Sequence, residues 1–100
     1  MKKIFISQPM RGLSDEEILK KRHEIKLKIE EVFNEPVEII DSFFEDFKPE
    51  NNIPVKYLSR SIDKLADADV AYFGGSWKEA RGCKIEHEIA IAYGIQTIEE

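Results

Sequence analysis

Residues 69–98 read DVAYFGGSWKEARGCKIEHEIAIAYGIQTI, and this stretch decides the fold class. Val70 to Phe73 is a short apolar run typical of a buried strand, and the glycines that follow break the chain. A helical pattern runs from about Gly82 to Tyr93 and stops at Gly94, a residue favoured just after a helix. Ile95 to Ile98 predicts another strand. A strand, a crossover helix and a second strand together form the unit of a parallel sheet.

The rest of the chain continues this alternation. Lys2 to Ser7 predicts a first strand, and Ser14 to Glu17 has the sequence of a capping box that begins a helix. Pro36 ends that helix, Val37 to Ile40 predicts a second strand, and Val55 to Ala66 predicts a second helix. With right-handed crossovers, the simplest result is an α/β, flavodoxin-like three-layer sandwich. We expect one domain, residues 1–100, with about four parallel strands in the order 2-1-3-4 and helices on both faces.

Helical spacing predicts which side chains face the sheet. For the first helix these are Ile18, Ile25, Ile29, Val32 and Phe33, while Lys20, Lys21, Arg22, Lys26 and Lys28 form a solvated face. For the second helix they are Val55, Leu58, Ile62 and Leu65. For the third they are Ile85, Ile89, Ala92 and Tyr93, with Glu86 and Glu88 on the two shoulders and His87 pointing away.

Composition and charge limit the possible partners. The chain is 42% hydrophobic and 35% charged, with a net charge of -5, which disfavours binding to a nucleic-acid backbone. No apolar run reaches the length of a signal-peptide core or a membrane span. Cys83 is the single cysteine, which suits a reducing compartment. We therefore expect a cytoplasmic protein with no nucleic-acid or membrane partner. Its small size favours a homodimer.

Two loops are expected to form the functional site. In the order 2-1-3-4, the switch point lies between the first and third strands, and ligands bind there at the carboxyl ends. The loops Gln8 to Leu13 and Gly74 to Gly82 should face each other at that point. Arg11, just before a helix N-terminus, suits a phosphate or carboxylate, although a loop arginine can equally bond nearby carbonyl groups.

The second loop combines an aromatic side chain with cations. Trp77 can stack on a base and Arg81 can pair with a phosphate. An ordinary polar loop, with Trp77 packed against a neighbour, explains the same residues. The acidic pair Glu86 and Glu88 offers a candidate nucleophile at the edge of an apolar helix face. Acidic residues also favour the first turns of helices for electrostatic reasons alone.

Cys83 and His87 lie four residues apart on one helix, the spacing of half a zinc site. No second pair of Cys or His residues completes such a site, so we predict neither a metal nor another cofactor. A Cys–His nucleophilic pair is also conceivable, with the pKa of Cys83 lowered by the helix N-terminus. A small buried cysteine is the commoner explanation.

Three segments resemble the nucleoside 2-deoxyribosyltransferase superfamily. Residues 3–12, KIFISQPMRG, resemble its opening strand and loop, and are especially similar to the deoxynucleoside 5′-monophosphate N-hydrolases. Residues 68–73, ADVAYF, resemble its third strand with a leading Asp. Residues 82–94, GCKIEHEIAIAYG, resemble its Gly-x-x-x-Glu-[Leu/Ile]-Gly-x-Ala helix. The resemblance covers nearly the whole chain and is nearest to a small branch of the superfamily.

The resemblance implies cleavage or transfer at the N-glycosidic bond of a 2′-deoxynucleoside or its 5′-monophosphate. In the family, a helix Glu attacks C1′ and releases the base, and water or another base captures the glycosyl-enzyme, as in retaining glycosidases. The Glu of the Glu-Ile-Ala sequence matches Glu88, and the resemblance gives Arg11 the role of binding the phosphate. Phe43, Phe44 and Phe47 are candidate walls for the base. The substrate-binding residues expected are Ser7, Gln8, Met10, Arg11, Gly12, Asp69, Gly75, Ser76, Trp77, Arg81 and Gly82.

Departures from the family keep other functions open. Ser61 and Gly82 stand where family members often have Asp, and a serine cannot replace a carboxylate as an acid or base at neutral pH. The sequence also ends at Glu100, before the tail with which family members complete the neighbouring subunit's site. A catalytically silent nucleotide-binding or sensor module is the first alternative. A protein-interaction domain, such as a receiver-like module, is the second, although no acidic cluster follows the first strand.

Overall fold

The computed structural model describes residues 1–9, 12–40 and 53–100, with side chains from residue 55 onward in the last range. The strands in these ranges are β1 (Lys2–Ser7), β2 (Val37–Ile39), β3 (Val70–Phe73) and β4 (Gln96–Glu99). The helices are α1 (Asp15–Phe33), α2 (Ile53–Leu65) and α3 (Arg81–Ala92), and a 3₁₀ helix (Trp77–Glu79) precedes α3. Within these ranges, no helix combines the length and apolar character needed to cross a bilayer.

The four strands form one parallel sheet in the order β2-β1-β3-β4, which confirms the predicted order and the flavodoxin-like α/β class. At the centre of the sheet, Ile4 of β1 pairs with Ile39 of β2 and with Val70 of β3. At the carboxyl end, Ser7 of β1 pairs with Phe73 of β3. The switch point therefore lies between β1 and β3, where such folds place their ligand sites.

Two hydrophobic cores cover opposite faces of the sheet. On one face, Ile4, Ile6, Val70 and Tyr72 pack with Ile25 and Ile29 of α1. On the other, Phe5, Ala71 and Phe73 pack with Leu65 of α2 and with Cys83 and Ala90 of α3. Successive side chains of a strand point to opposite faces, so Ser7 joins Phe5 on the α3 side. Gln8, the next residue, turns to the α1 side.

The start of α1 confirms the predicted capping box. The Glu17 backbone N–H donates to Ser14 Oγ at 3.1 Å, and the Ser14 N–H donates to Glu17 Oε1 at 3.5 Å. These two bonds satisfy donors that a helix N-terminus otherwise leaves unpaired. The helix therefore begins immediately after Ser14, as the capping box predicts.

The inner stripe of α1 differs from the prediction at two positions. Arg22, assigned to the solvated face, is buried, and Val32, assigned to the core, is exposed. Steps of three and four residues lead from Ile18 through Arg22 and Ile25 to Ile29. The next step reaches Phe33, which packs against the core. Val32 therefore points to solvent.

The prediction for α3 is wrong about which residues face the sheet. The buried residues are Cys83, Glu86 and Ala90, whereas Ala92 and Tyr93 are exposed. Small side chains at Cys83 and Ala90 allow the helix to approach the sheet closely, while Ile85 and Ile89 lie half-buried on the flanks. His87 does not point away; it packs on Phe73 and Trp77.

The second helix also departs from its prediction. It begins at Ile53, two residues earlier than expected. Leu65 is fully buried, as predicted, and Leu58 and Ile62 are half-buried. Val55 is exposed, so the first turn of α2 lies beyond the part that the sheet covers.

Candidate functional site

Two cavities open at the carboxyl edge of the sheet. The α1 cavity has a volume of about 450 Å³, and the α3 cavity has a volume of about 590 Å³. Both are bounded by the loops that follow β1 and β3, and both include Pro9 and Ser76. The α1 cavity is lined by Gln8, Pro9, Leu13, Glu17, Lys20, Lys21, Glu24, Gly75 and Ser76. The α3 cavity is lined by Pro9, Ser76, Glu79, Ala80, Arg81 and Gly82.

Glu86 is a buried carboxyl one turn after the α3 cavity. Only 6% of the residue is exposed, and the Ser7 hydroxyl donates to Glu86 Oε1 at 2.9 Å. Burial raises the pKa of Glu86 to about 7, and the hydrogen bond from Ser7 opposes that rise. A carboxyl that titrates near neutral pH can exchange a proton, or act as an anion, under physiological conditions.

Cys83 lies beside the same serine. Burial raises the pKa of the Cys83 thiol, a hydrogen bond with the Ser7 side chain lowers it, and the charge of Glu86 raises it. The net shift of the Cys83 pKa is upward, which counts against the alternative of a reactive thiolate and favours the small buried cysteine. His87 instead directs Nε2 to Glu99 Oε1 at 2.5 Å. In the described ranges, no cluster of three His, Cys, Asp or Glu residues could hold a metal.

Trp77 is packed inside the protein. The residue is 6% exposed, and its ring centroid lies 4.4 Å from that of His87 and 5.4 Å from that of Phe73. Its Nε1 has no hydrogen-bond partner among the residues that the structure describes. The indole face predicted to stack on a base is thus occupied by His87. The alternative of a Trp77 packed against its neighbours fits the structure better.

Gln8 lines the α1 cavity and has a buried side-chain nitrogen. The residue is 7% exposed, and its Nε2 is buried with no partner in the described part of the chain. Buried polar atoms are nearly always hydrogen-bonded, and an exception calls for an explanation such as a ligand. The substrate-binding role predicted for Gln8 is consistent with this position.

The remaining predicted residues divide between the cavities and other places. Gly75, Ser76, Arg81 and Gly82 line one or both cavities, whereas Gly12 is exposed beside them on the loop after β1. Met10 and Arg11 lie outside the described residues, as do Phe43, Phe44 and Phe47. The predicted phosphate role of Arg11 therefore stays a prediction.

Asp69 lies at the opposite edge of the sheet. Its Oδ2 accepts from the Lys3 backbone N–H at 2.8 Å, and its own N–H donates to the Lys3 carbonyl at 2.8 Å. These bonds join the start of β1 to the start of β3. Because β1 and β3 are parallel, a residue that precedes β3 cannot reach the carboxyl edge. Asp69 is therefore a structural residue away from both cavities.

No model of a known protein family and no curated protein sequence matches this chain. The resemblance of its motifs to the nucleoside 2-deoxyribosyltransferases stays a prediction.

The catalytic role predicted for Glu88 also stays a prediction, but the geometry favours its neighbour. Glu88 is exposed, whereas Glu86 is buried against Ser7. Glu88 and Ile89 match the Glu-[Leu/Ile] part of the family pattern, which favours Glu88. Glu86 has the spacing of the Gly-x-x-x-Glu-[Leu/Ile]-Gly-x-Ala pattern, since it lies four residues after Gly82 and four before Ala90. His87 and Glu88 then stand at its Leu/Ile and Gly positions, so each glutamate matches the pattern only in part.

Proposed function

We propose that this chain cleaves or transfers at the N-glycosidic bond of a 2′-deoxynucleoside or its 5′-monophosphate, with Glu86 as the nucleophile. The buried Glu86 carboxyl, hydrogen-bonded to Ser7 at the carboxyl edge of the sheet, carries this proposal. Burying a charge costs stability, and buried carboxyls with a raised pKa are concentrated at functional sites.

The proposed reaction follows the double displacement of retaining glycosidases. The ionised Glu86 attacks C1′ of the sugar, and the C–N bond breaks with its electron pair moving to the base, which takes a proton from solvent water. Water, or a second base, then attacks C1′, the bond from C1′ to Glu86 breaks with its electron pair returning to the carboxylate, and the proton lost by the attacking group passes to solvent. Ser7 fixes one carboxylate oxygen, and we assign the attack to the other.

In this proposal the 5′-phosphate binds in the α3 cavity. Arg81 lines this cavity and is the first residue of α3. A guanidinium at the positive end of a helix suits a 5′-phosphate. Gly82, next to it, separates the cavity from Glu86 by a single helical turn. A nucleotide whose phosphate contacts Arg81 would direct its sugar toward the Ser7–Glu86 pair.

A catalytically silent nucleotide-binding module is the second candidate. Its specific support is that Glu86 is almost fully buried and lines neither cavity. Ser61 also supports this candidate, because family members often have an aspartate at its position and a serine cannot replace it as an acid or base. In this candidate the cavities bind the ligand, and the Ser7–Glu86 pair only joins β1 to α3.

The test is an assay of base release. The purified protein is incubated with each of the four 2′-deoxynucleoside monophosphates and with the free nucleosides, and the released base is measured by chromatography. We expect release by the parent and by Glu88→Gln, and none by Glu86→Gln. The two variants remove one charge each, two residues apart on the same helix, so they form a matched pair.

Each other outcome has a definite meaning. Loss of release in Glu88→Gln alone would return the nucleophile to Glu88. No release by the parent, together with measurable nucleotide binding, would favour the silent module. Neither release nor binding would contradict both candidates and leave the protein-interaction domain as the working hypothesis.

A further inference from the structure

On the α1 side of the sheet, the Glu100 carboxylate lies in a small polar cradle. The Tyr72 hydroxyl donates to Glu100 Oε2 at 2.8 Å, and the backbone of Gly75 supplies a second hydrogen bond to the carboxylate. The Glu100 backbone N–H donates to the Phe73 carbonyl at 2.9 Å. The carboxylate is thus held by donors from β3 and from the loop that follows it.

The cradle is part of the folded framework. Tyr72 is 1% exposed and belongs to the core beneath α1, so its hydroxyl has a fixed position. Gly74 leaves the space that the carboxylate fills, because a Cβ at this residue would lie 2.8 Å from Glu100 Oε2 and 3.0 Å from Tyr72 Cε1. Gly75 has a φ of 60°, a conformation that glycine adopts without strain.

Two lysines of α1 act on the cradle electrostatically. The pKa of Glu100 is lowered by the hydrogen bond from Tyr72, by the backbone hydrogen bond from Gly75 and by the charges of Lys21 and Lys28, while burial opposes this shift. Lys28 Nζ lies 6.0 Å from the centre of the Tyr72 ring. Lys21 and Gly75 also line the α1 cavity. The cradle therefore adjoins a cavity large enough for a small ligand.

We propose that this cradle is a binding site for the oxyanionic group of a small ligand in the α1 cavity, and that Glu100 is an internal occupant which the ligand displaces. A buried hydroxyl, a backbone donor and two cations are the partners that a carboxylate or phosphate group requires. Glu100 is itself exposed, so it can leave the cradle without disturbing the core. The inference goes beyond the proposed function, because it concerns the other face of the sheet and needs no bond cleavage.

The test compares the affinity of oxyanions for the parent and for Glu100→Ala by isothermal titration calorimetry. Inorganic phosphate and acetate are the two probes, and the tighter one identifies the group that the cradle prefers. We expect the Kd of the preferred probe to fall about tenfold in the variant, the ratio that corresponds to one additional charge-assisted hydrogen bond. Glu31→Ala is the matched control, since it removes an exposed carboxylate of α1 and changes the net charge equally.

A second substitution locates the binding. Tyr72→Phe in the Glu100→Ala background removes the buried hydroxyl donor and should cancel most of the gain in affinity, while circular dichroism confirms that both variants are folded. An equal gain in Glu31→Ala, a gain that survives Tyr72→Phe, or no binding of either probe by Glu100→Ala would each overturn the proposal. Base release at Glu86 is a separate measurement, so failure of one proposal leaves the other intact.

Discussion

At Glu86, burial and one hydroxyl donor act on the same carboxyl in opposite directions. Removal from water favours the protonated form and raises the pKa, whereas the Ser7 hydrogen bond favours the carboxylate. With a pKa of about 7, both forms of the Glu86 carboxyl are populated at neutral pH. Glu88, two residues later, is exposed to solvent. Glu86 and Glu88 thus differ in environment because only Glu86 faces the sheet.

Glu86 should make the stability of the protein depend on pH. Its pKa is about 7 in the folded protein against 4.5 for an unperturbed glutamate. A raised pKa means that its contribution is fully present below pH 4.5 and is lost as the pH rises to about 7. We expect Glu86→Gln to gain on the order of 3 kcal/mol of stability relative to the parent across that window.

Urea unfolding between pH 4 and 8 measures this difference. Glu88→Gln is the control, and its unfolding free energy should run parallel to that of the parent. A difference between Glu86→Gln and the parent that stays constant with pH would show that the Glu86 carboxyl is solvated in solution.

At the scale of elements, the strands and their order follow from local patterns. Short apolar runs separated by helical periodicity specify β1, β3 and β4, and the Ser14–Glu17 capping box fixes the start of α1. The orientation of α3 does not follow, because apolar residues occur around most of its circumference. The burial of Glu86 was equally hidden, since its partner Ser7 lies 79 positions earlier in the chain.

The capping box gives a prediction about α1. Ser14→Ala removes the acceptor of the Glu17 N–H and should lower the free energy of unfolding by about 1 kcal/mol. Ser59→Ala, an exposed serine inside α2, is the control and should change it by less than about 0.5 kcal/mol. Chemical denaturation compares the two. Equal losses would mean that the cap contributes nothing particular to α1.

At the scale of the molecule, the sheet separates two chemical environments. The α1 side carries lysines, the Glu100 cradle and the Gln8 Nε2 atom, which has no partner among the residues that the structure describes. The α3 side carries the Ser7–Glu86 pair, Cys83 and the His87–Glu99 contact. Residues that the sequence grouped into one substrate site are therefore distributed over both sides, and Asp69 belongs to neither.

We predict that the protein is a homodimer in solution. A chain of 100 residues buries a smaller fraction of its surface on folding than a large domain does. Large apolar side chains remain exposed on each helix, including Leu27 of α1, Val55 of α2 and Ile91 of α3. Sedimentation velocity should give about twice the 11.6 kDa mass of one chain. A single-chain mass that persists at high micromolar concentration would contradict the prediction.

The alternation of β1 has a consequence for the shape of any molecule that uses both cavities. Ser7 and Gln8 are neighbours in sequence, yet they lie on opposite faces of the sheet: Ser7 contacts Glu86 on the α3 side, and Gln8 lines the α1 cavity. The α1 and α3 cavities share Pro9 and Ser76 as lining residues. A ligand that fills both cavities must bend over these two residues. A rigid linear compound will therefore occupy one cavity, whereas a compound with a flexible joint will occupy both.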